Sequence, residues 1–353
     1  MKIIRRDLKE GKIKLKPETM DDLWYIKNIT SEGDIFLGKS YRRVKDEEKL
    51  RADKGERVPI NVGVRVRRVE FHPNISRLRV TGVIETGPED IISMGSYHTL
   101  ELQPMDVVTI LKKRWKKWEL DTLEEAEKSA KTPLVLIVGV EEGEAEFALV
   151  RGYGIDFTVR VSKTVSGKRV AKEHEANVKE FYTEAAKKLD EILTKGDIKA
   201  VIICGPGFAK DNLYKLLKEK YPDVAEISRI ESAGTTGRVG IQEVLRRGVI
   251  DKIVKHSRIS LETQLVDKVF EEIGRDSGLV AYGVEEVKKA LDYGAIEKLL
   301  IADVLLRKND PDEMIAKVRK SKGEAVIVST EHEAGEKLKA IGGMAALLRF
   351  RVL

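Results

Sequence analysis

The residue run that most invites chemistry is GDIFLGKS, Gly33 to Ser40, which meets the spacing of a phosphate-binding loop with Lys39 and Ser40 at its end. Such a loop needs a buried strand before the first glycine and a helix after the lysine, so that backbone N–H groups converge on phosphate. Here a helix is predicted before it, over Thr19 to Ile29, and YRRV follows, while Ile35 and Leu37 alternate with Phe36 and Gly38 in the rhythm of a strand. A strand, not a nucleotide site, is the expectation. Glu18 and Asp22 stand one helical turn apart and could hold a divalent metal cation for RNA cleavage if a third ligand met them in space. Acids in the first turn of a helix that follows Pro17 are more simply cap and dipole partners. Neither His174-Glu175 nor His332-Glu333 is followed by the second histidine of a zinc-protease helix, and no Gly-x-Ser-x-Gly elbow occurs, which argues against both hydrolase classes.

Charge carries a second message. Val62, Val64 and Val66 alternate with Arg65 and Arg67, and Leu78 and Val80 alternate with Arg77 and Arg79. Joined through HPNIS as a hairpin, the two strands would set four arginines on one solvated face, beside the basic stretch YRRVKDEEKLRADKGER. That face suits phosphate tracking, and the competing expectation is a salt-bridged exterior. Residues 1–118 carry 26 Lys and Arg against 18 Asp and Glu, whereas the remainder carries 39 against 41. The first part is therefore expected to meet a polyanion and the rest to meet proteins.

The elements that must position these groups fall into three blocks, as a chain of 353 residues leads one to expect. Short alternating segments run to Leu111 and predict a small β-rich barrel. Lys112 to Pro133 turns from basic to acidic and reads as a solvated connecting helix, on which the three-residue spacing of Trp115 and Trp118 favours packing over base stacking. LVLIVGV, EAEFALV and IDFTVRV predict three strands, Lys172 to Leu193 a helix and KAVIICG a buried strand ending in Gly205-Pro206-Gly207-Phe208, a strand-to-helix turn where sites commonly lie. Phe208 either plugs the next helix onto the sheet or stands exposed for a partner. SAGTTGRVG, Ser232 to Gly240, reads as a glycine-punctuated loop before a helix. After His256 to Leu261, helices alternate with KLLIAD and GEAVIVS as in an α/β/α sandwich. The expected domains are 1–130, with a linker helix over 112–130, then 131–258 and 259–353. Cys204 is the lone cysteine, which leaves no internal disulfide and fits a reducing compartment. No apolar run is long enough to span a bilayer and the opening MKIIRRDLKEGKIKLK lacks a signal-type apolar stretch, so a cytoplasmic protein without membrane contact is expected.

Three stretches resemble the Pelota family, relatives of the class-I translation termination factor of archaea and eukaryotes: PINVGVRVRRVEFHP, the Pro206-Gly207-Phe208 turn, and YGVEEVKKALDYGAIEKLLIAD. The resemblance implies a multi-domain α+β chain with an N-terminal Sm-like β-barrel, a central ribonuclease-H-like α/β domain and a C-terminal α/β/α sandwich like the kink-turn-binding ribosomal proteins. It implies ribosome rescue and mRNA surveillance by a non-catalytic, monomeric factor that needs no cofactor. Its basic loop would face the decoding site and mRNA channel through Arg42, Arg43, Lys45, Arg51, Lys54 and Arg57, with Arg65 and Arg67 beside them. The release factor's Gly-Gly-Gln is absent; SKTVSGKRVAKEH stands in its place, so ribosome entry without peptide release is implied, with Lys163, Lys168 and Arg169 touching tRNA or ribosomal RNA. Pro206, Gly207 and Phe208 would contact an elongation-factor-1-alpha-type GTPase, and the C-terminal domain an ABC-class recycling ATPase. Because endoribonuclease activity has been attributed to some members, a metal-dependent nuclease using Glu18 and Asp22 is the rival expectation, its remaining ligands unknown.

Overall fold

In the antiparallel hairpin of β1 (Lys2–Asp7) and β2 (Lys12–Lys16), Ile13 and Leu15 are fully buried between the exposed Lys12 and Lys14, so period-two alternation decides which face meets the core. The computed structural model describes residues 1–44, 56–89, 91–129, 134–164, 171–195, 198–250, 258–306 and 311–352. They form two compact units, Met1–Lys131 with Val304–Lys317, and Thr132–Asp303 with Val318–Leu353. Among the described residues no helix is long and apolar enough to cross a membrane.

In the first unit α1 (Met20–Ile29) begins where the sequence predicts. The Thr19 side chain accepts the Asp22 N–H and the Asp22 carboxylate accepts the Thr19 N–H, a reciprocal cap that satisfies two orphan donors. Most of the phosphate-loop look-alike is strand β3 (Ile35–Val44). It pairs with the long β4 (Glu56–His72), which turns through Pro73–Ile75 into β5 (Arg77–Thr86). The turn ends on Ser76 with φ 53°. β6 (Tyr97–Leu102), β7 (Val108–Leu111) and α2 (Lys117–Ser129) complete the unit.

The sheet runs β1-β2-β7-β3-β4-β5-β6, so β7 returns to sit between the hairpin and β3. Ser40 on β3 lies 2.8 Å from His98 on β6, three strands away. A flat sheet would separate those backbones by roughly 14 Å at about 4.8 Å per strand, so the sheet is strongly curled. The strand order nevertheless has two ends, β1 and β6, and among the described residues no ladder closes it into the expected barrel.

The helix α2 departs from the solvated connector expected from its charges. Trp115, Trp118, Glu119, Leu123 and Ala126 are buried, and Trp115 Nε1 donates to the Gly11 carbonyl at 2.7 Å. Lys112 Nζ, also buried, sits 2.5 Å from Asp34 and 2.9 Å from Glu119. Burial pushes the Glu119 carboxyl above its ordinary value and Lys112 pulls it back. Charge run alone could not reveal this, because the buried acid of the helix, Glu119, finds its cation seven residues away in Lys112.

The second unit holds two sheets. The first has β8 (Leu134–Glu141), β9 (Glu144–Val150), β10 (Ile155–Ser162), α3 (Ala171–Lys195), β11 (Ile198–Gly205), α4 (Ala209–Lys220), α5 (Pro222–Glu226), β12 (Ser228–Ser232) and α6 (Gly237–Arg246). Its order is β10-β9-β8-β11-β12, with β8, β11 and β12 parallel. Helices α3 and α4 cover one face through Phe181, Ala185, Leu213 and Leu217, and α6 covers the other through Ile241 and Val244. This is the two-sided burial that makes KAVIICG a continuous apolar run. The remaining elements of the chain are α7 (Arg258–Gly274), β13 (Val280–Tyr282), α8 (Val284–Asp292), β14 (Ile296–Ala302), α9 (Asp312–Lys320), most of which is grouped with the first unit, β15 (Glu324–Val328), α10 (Glu333–Ala340) and β16 (Met344–Leu348). Their sheet runs β13-β16-β14-β15, with Leu265, Val266 and Val269 of α7 and Leu338 of α10 packed on Leu300, Ala345 and Leu347.

A buried polar network joins the two sheets' domains. Glu262, fully buried, receives Arg258 Nε at 2.6 Å on one oxygen and both the Ser329 N–H and His332 Nε2, each at 2.8 Å, on the other. Ser329 Oγ then donates to the Tyr153 carbonyl at 2.7 Å.

Candidate RNA and partner interface

The alternation of β4 and β5 puts their arginines outward as expected, over buried Val62, Val64, Val66, Leu78 and Val80. What the sequence does not display is that Arg65, Arg67, Arg77 and Arg79 each have a carboxylate. Arg65 grips Glu85 with two nitrogens, Nη2 at 2.8 Å, and donates to the Gly33 carbonyl at 3.0 Å. Arg67 meets Glu32 at 2.9 Å, while Arg77 and Arg79 share Glu101 at 3.1 and 3.3 Å. The Glu32 bond holds the Arg67 guanidinium above its ordinary value. Much of the charge proposed to track phosphate is therefore balanced on this face.

Arg42 lies elsewhere, near the C-terminal end of β3. Its Nη2 is 3.3 Å from His98 Nδ1, and a guanidinium can only donate. His98 Nδ1 is then the acceptor, its Nε2 carries the proton, and that proton is given to Ser40 Oγ at 2.8 Å. Burial first and Arg42 second hold the imidazole below its usual value. In this tautomer His98 cannot take a proton from Ser40, so the pair is no activated nucleophile. Nothing in the sequence announced it, because the two strands are separated by more than fifty residues. Arg43 and Arg57 are cross-strand neighbours in the β3–β4 ladder. Lys45, Arg51 and Lys54 lie outside the described residues, as do Lys168 and Arg169. Lys163 is described, and it pairs with Glu180.

Asp22 is fully buried and its Oδ2 is committed to the helix cap and to the Met1 ammonium at 2.7 Å; Glu18 is half-exposed and 3.8 Å from that ammonium. Among the described residues no group of three His, Cys, Asp or Glu side chains is placed to hold a metal. Asp22 thus does the capping work that its position suggested, while Glu18 faces the Met1 ammonium.

The Pro206-Gly207-Phe208 turn closes β11 at the carboxyl edge of the parallel strands. Gly205 is at φ 150° and a Cβ there would lie 2.0 Å from the Val140 carbonyl oxygen, so only glycine lets the strand leave the sheet so close to β8. Gly207 adopts φ 58° and faces open space. Phe208 precedes the first residue of α4 and is 81% exposed. It does not plug the helix onto the sheet; Leu213 and Leu217 do that. Ser232 ends β12 at the same edge; of the loop expected over SAGTTGRVG only Ala233 to Thr236 lies outside the elements, and Gly237 to Gly240 open α6, where Val239 is also exposed. Cys204, one residue before the turn, is buried, which pushes its thiol up to about 12 and leaves it inert.

Comparison with known proteins places the whole chain. It matches the Pelota N-terminal domain over residues 1–127, eRF1 domain 2 over residues 134–255 and eRF1 domain 3 over residues 259–352. It is 44% identical to the protein pelota homolog of Thermococcus onnurineus and 42% identical to that of Methanocaldococcus jannaschii, in each case over the full length of both chains. The Thermoplasma acidophilum Pelota protein superposes with a TM-score of 0.77 at 23% identity over all of both chains, a likeness of fold. Saccharomyces cerevisiae Dom34, a translation termination-like factor involved in RNA quality control pathways and interacting with Hbs1, matches at a TM-score of 0.55 and 25% identity over all of this chain and 99% of its own.

Proposed function

This chain belongs to the Pelota family, and from that premise we propose that it is a cytoplasmic ribosome-rescue factor. It enters the vacant A site of a stalled ribosome, releases no peptide, and promotes subunit dissociation with a translational GTPase and an ABC-class ATPase. The N-terminal sheet, read as a curled Sm-like domain, meets ribosomal RNA and the mRNA channel; the central domain, read as ribonuclease-H-like, offers its sheet edge to the GTPase. The observation that carries this reading is Phe208, a large apolar side chain 81% exposed on a glycine-built turn that does nothing for the fold. Exposed aromatics anchored on rigid turns are the kind of residue that dominates protein interfaces. The Gly-Gly-Gln needed for peptide release is missing from the sequence, which supports dissociation without hydrolysis. The nuclease alternative draws no support from Glu18 and Asp22, given their cap and N-terminal partners.

The test is splitting of ribosomes stalled on truncated mRNA by the purified chain with its GTPase and ATPase. Phe208→Ala should weaken GTPase binding by at least about tenfold, as truncating an interface hot spot does, and splitting should fall with it. Unchanged GTPase binding by this variant, or mRNA cut by the chain alone with a divalent metal and rescued from cutting by Asp22→Asn, would replace the proposal.

A further inference from the structure

We propose that the outer face of the β1–β2 hairpin is the surface on which the N-terminal sheet holds an RNA phosphate backbone, through Lys2, Arg5, Lys14 and Lys16. The register sets Lys2 opposite Lys16 and Arg5 opposite Lys14, two like-charge pairs directly across one antiparallel ladder. Side chains so placed share a face at close range and repel, which destabilises the sheet. Among the described residues Lys2, Lys14 and Lys16 have no carboxylate within salt-bridge distance, and Arg5, its side chain 75% exposed, reaches only Asp7 at 3.4 Å.

The same sheet places charges differently at its other end. There Glu70 stands opposite Arg79, and Arg79 opposite Glu101, an alternation of sign across three strands. Lysines often protect sheet edges from unwanted pairing. That accounts for β1, which is an edge, but not for β2, which is enclosed between β1 and β7. Lys14 and Lys16, left without a carboxylate on an inner strand whose Lys12 faces Asp7 and pairs with Glu10, are explained by an anion that arrives from outside. Lys14 and Lys16 recur at the two-residue repeat of the strand, about 6.8 Å, a spacing comparable with that of successive phosphates along a polynucleotide. Arg5, Lys12, Lys14 and Thr109, with Asp7 and Glu10, line a cleft of about 220 Å³ beside the ladder. Asp7 and Glu10 there are already engaged, by the Glu10 N–H and by Lys12 at 2.7 Å. Contacts of this kind fix position on RNA without reading its sequence.

The inference rests on the proposed ribosomal role only for the RNA being ribosomal. Its test uses the full-length chain and a fluorescein-labelled RNA hairpin, with affinity followed by anisotropy from about 50 to 200 mM salt. Lys14→Gln/Lys16→Gln should lose about tenfold or more in affinity and flatten the log–log salt slope by about 1.4 to 1.8, the amount due to two neutralised phosphates. Lys187→Gln/Lys188→Gln on α3, an equal loss of charge, should stay within about twofold, and Lys14→Arg/Lys16→Arg should bind like the parent. Equal losses for the β2 and α3 variants, or an unchanged salt slope, overturn the proposal. So does binding of polyglutamate or of phosphatidylglycerol vesicles as tight as that of RNA, which would assign the face to an acidic protein or a lipid surface. Phe208→Ala keeps the two readings apart: it should bind the hairpin like the parent even where ribosome splitting fails.

Discussion

The two ends of the N-terminal sheet expose cations in similar number and treat them in opposite ways. At the β4–β5–β6 end, arginines lie within reach of Glu32, Glu85 and Glu101, and the ladder alternates in sign. At the β1–β2 end, Lys2 faces Lys16 and Arg5 faces Lys14 across the register, while Lys12 stands opposite Asp7, and among the described residues Lys2, Lys14 and Lys16 have no carboxylate in reach. Paired charge of the first kind belongs to the protein's own economy, and an incoming phosphate has to displace a carboxylate before it gains a contact. Unpaired charge of the second kind is available to a ligand at once. The difference teaches that a count of basic residues locates a polyanion surface poorly until the acids that consume it are placed in space.

The largest effect that sharpens this contrast comes from pairing in the buried limit. Glu262 has no exposed surface and neutralises Arg258 beside His332. Glu262→Ala strands those groups and the Ser329 N–H, and should cost about 3–5 kcal/mol in chemical denaturation. A loss below about 1 kcal/mol would show that burial adds nothing to pairing here. Next come the two exposed faces. Lys14→Gln alone should weaken RNA binding about three- to tenfold, whereas Arg65→Gln should change it less than twofold because Glu85 already holds that charge. Equal effects would erase the contrast. In stability, a double-mutant cycle of Arg65→Ala with Glu85→Ala should give a coupling of about 0.2–1 kcal/mol, as exposed pairs do. The smallest expected effect lies at His98. Its imidazole is held low in the folded chain, so its contribution is complete above the unfolded value of about 6.5 and is lost as pH falls through the folded one. The parent's unfolding midpoint should therefore drop more between about pH 7 and 5 than that of His98→Gln, and parallel curves would remove the role given to Arg42.

Much of this architecture was legible because it is local. The valine and arginine alternation of β4, the reciprocal cap of Thr19 and Asp22, and the doubly buried run KAVIICG all follow from period and cap chemistry read along the chain. The phosphate-loop pattern at Gly33 to Ser40 could be set aside for the same reason. What could not be read depends on partners brought together by register. β7 enters between β2 and β3 from nearly a hundred residues away, and only that makes β2 an inner strand. Glu262 finds His332 across seventy residues, and His98 finds Ser40 across fifty-eight. Along α2 the run Glu124, Glu125 and Glu127 is solvated as expected, but Glu119 is buried on Lys112, a cation that stands outside the helix. Phe208 could be assigned to neither core nor surface until the neighbouring Leu213 and Leu217 were seen to fill the contact with the sheet.

The bond from Ser329 to the Tyr153 carbonyl has a genetic consequence. Its acceptor is main chain, present whatever residue occupies position 153, so substitutions on the central side leave the hydrogen bond chemically intact provided the backbone keeps its course. Only position 329 can erase it by mutation. This polar link between the two domains is thus encoded in side-chain terms at position 329, whereas the apolar part of the joint, Ile259 against Ile241, Val244 and Leu245, depends on side chains from both.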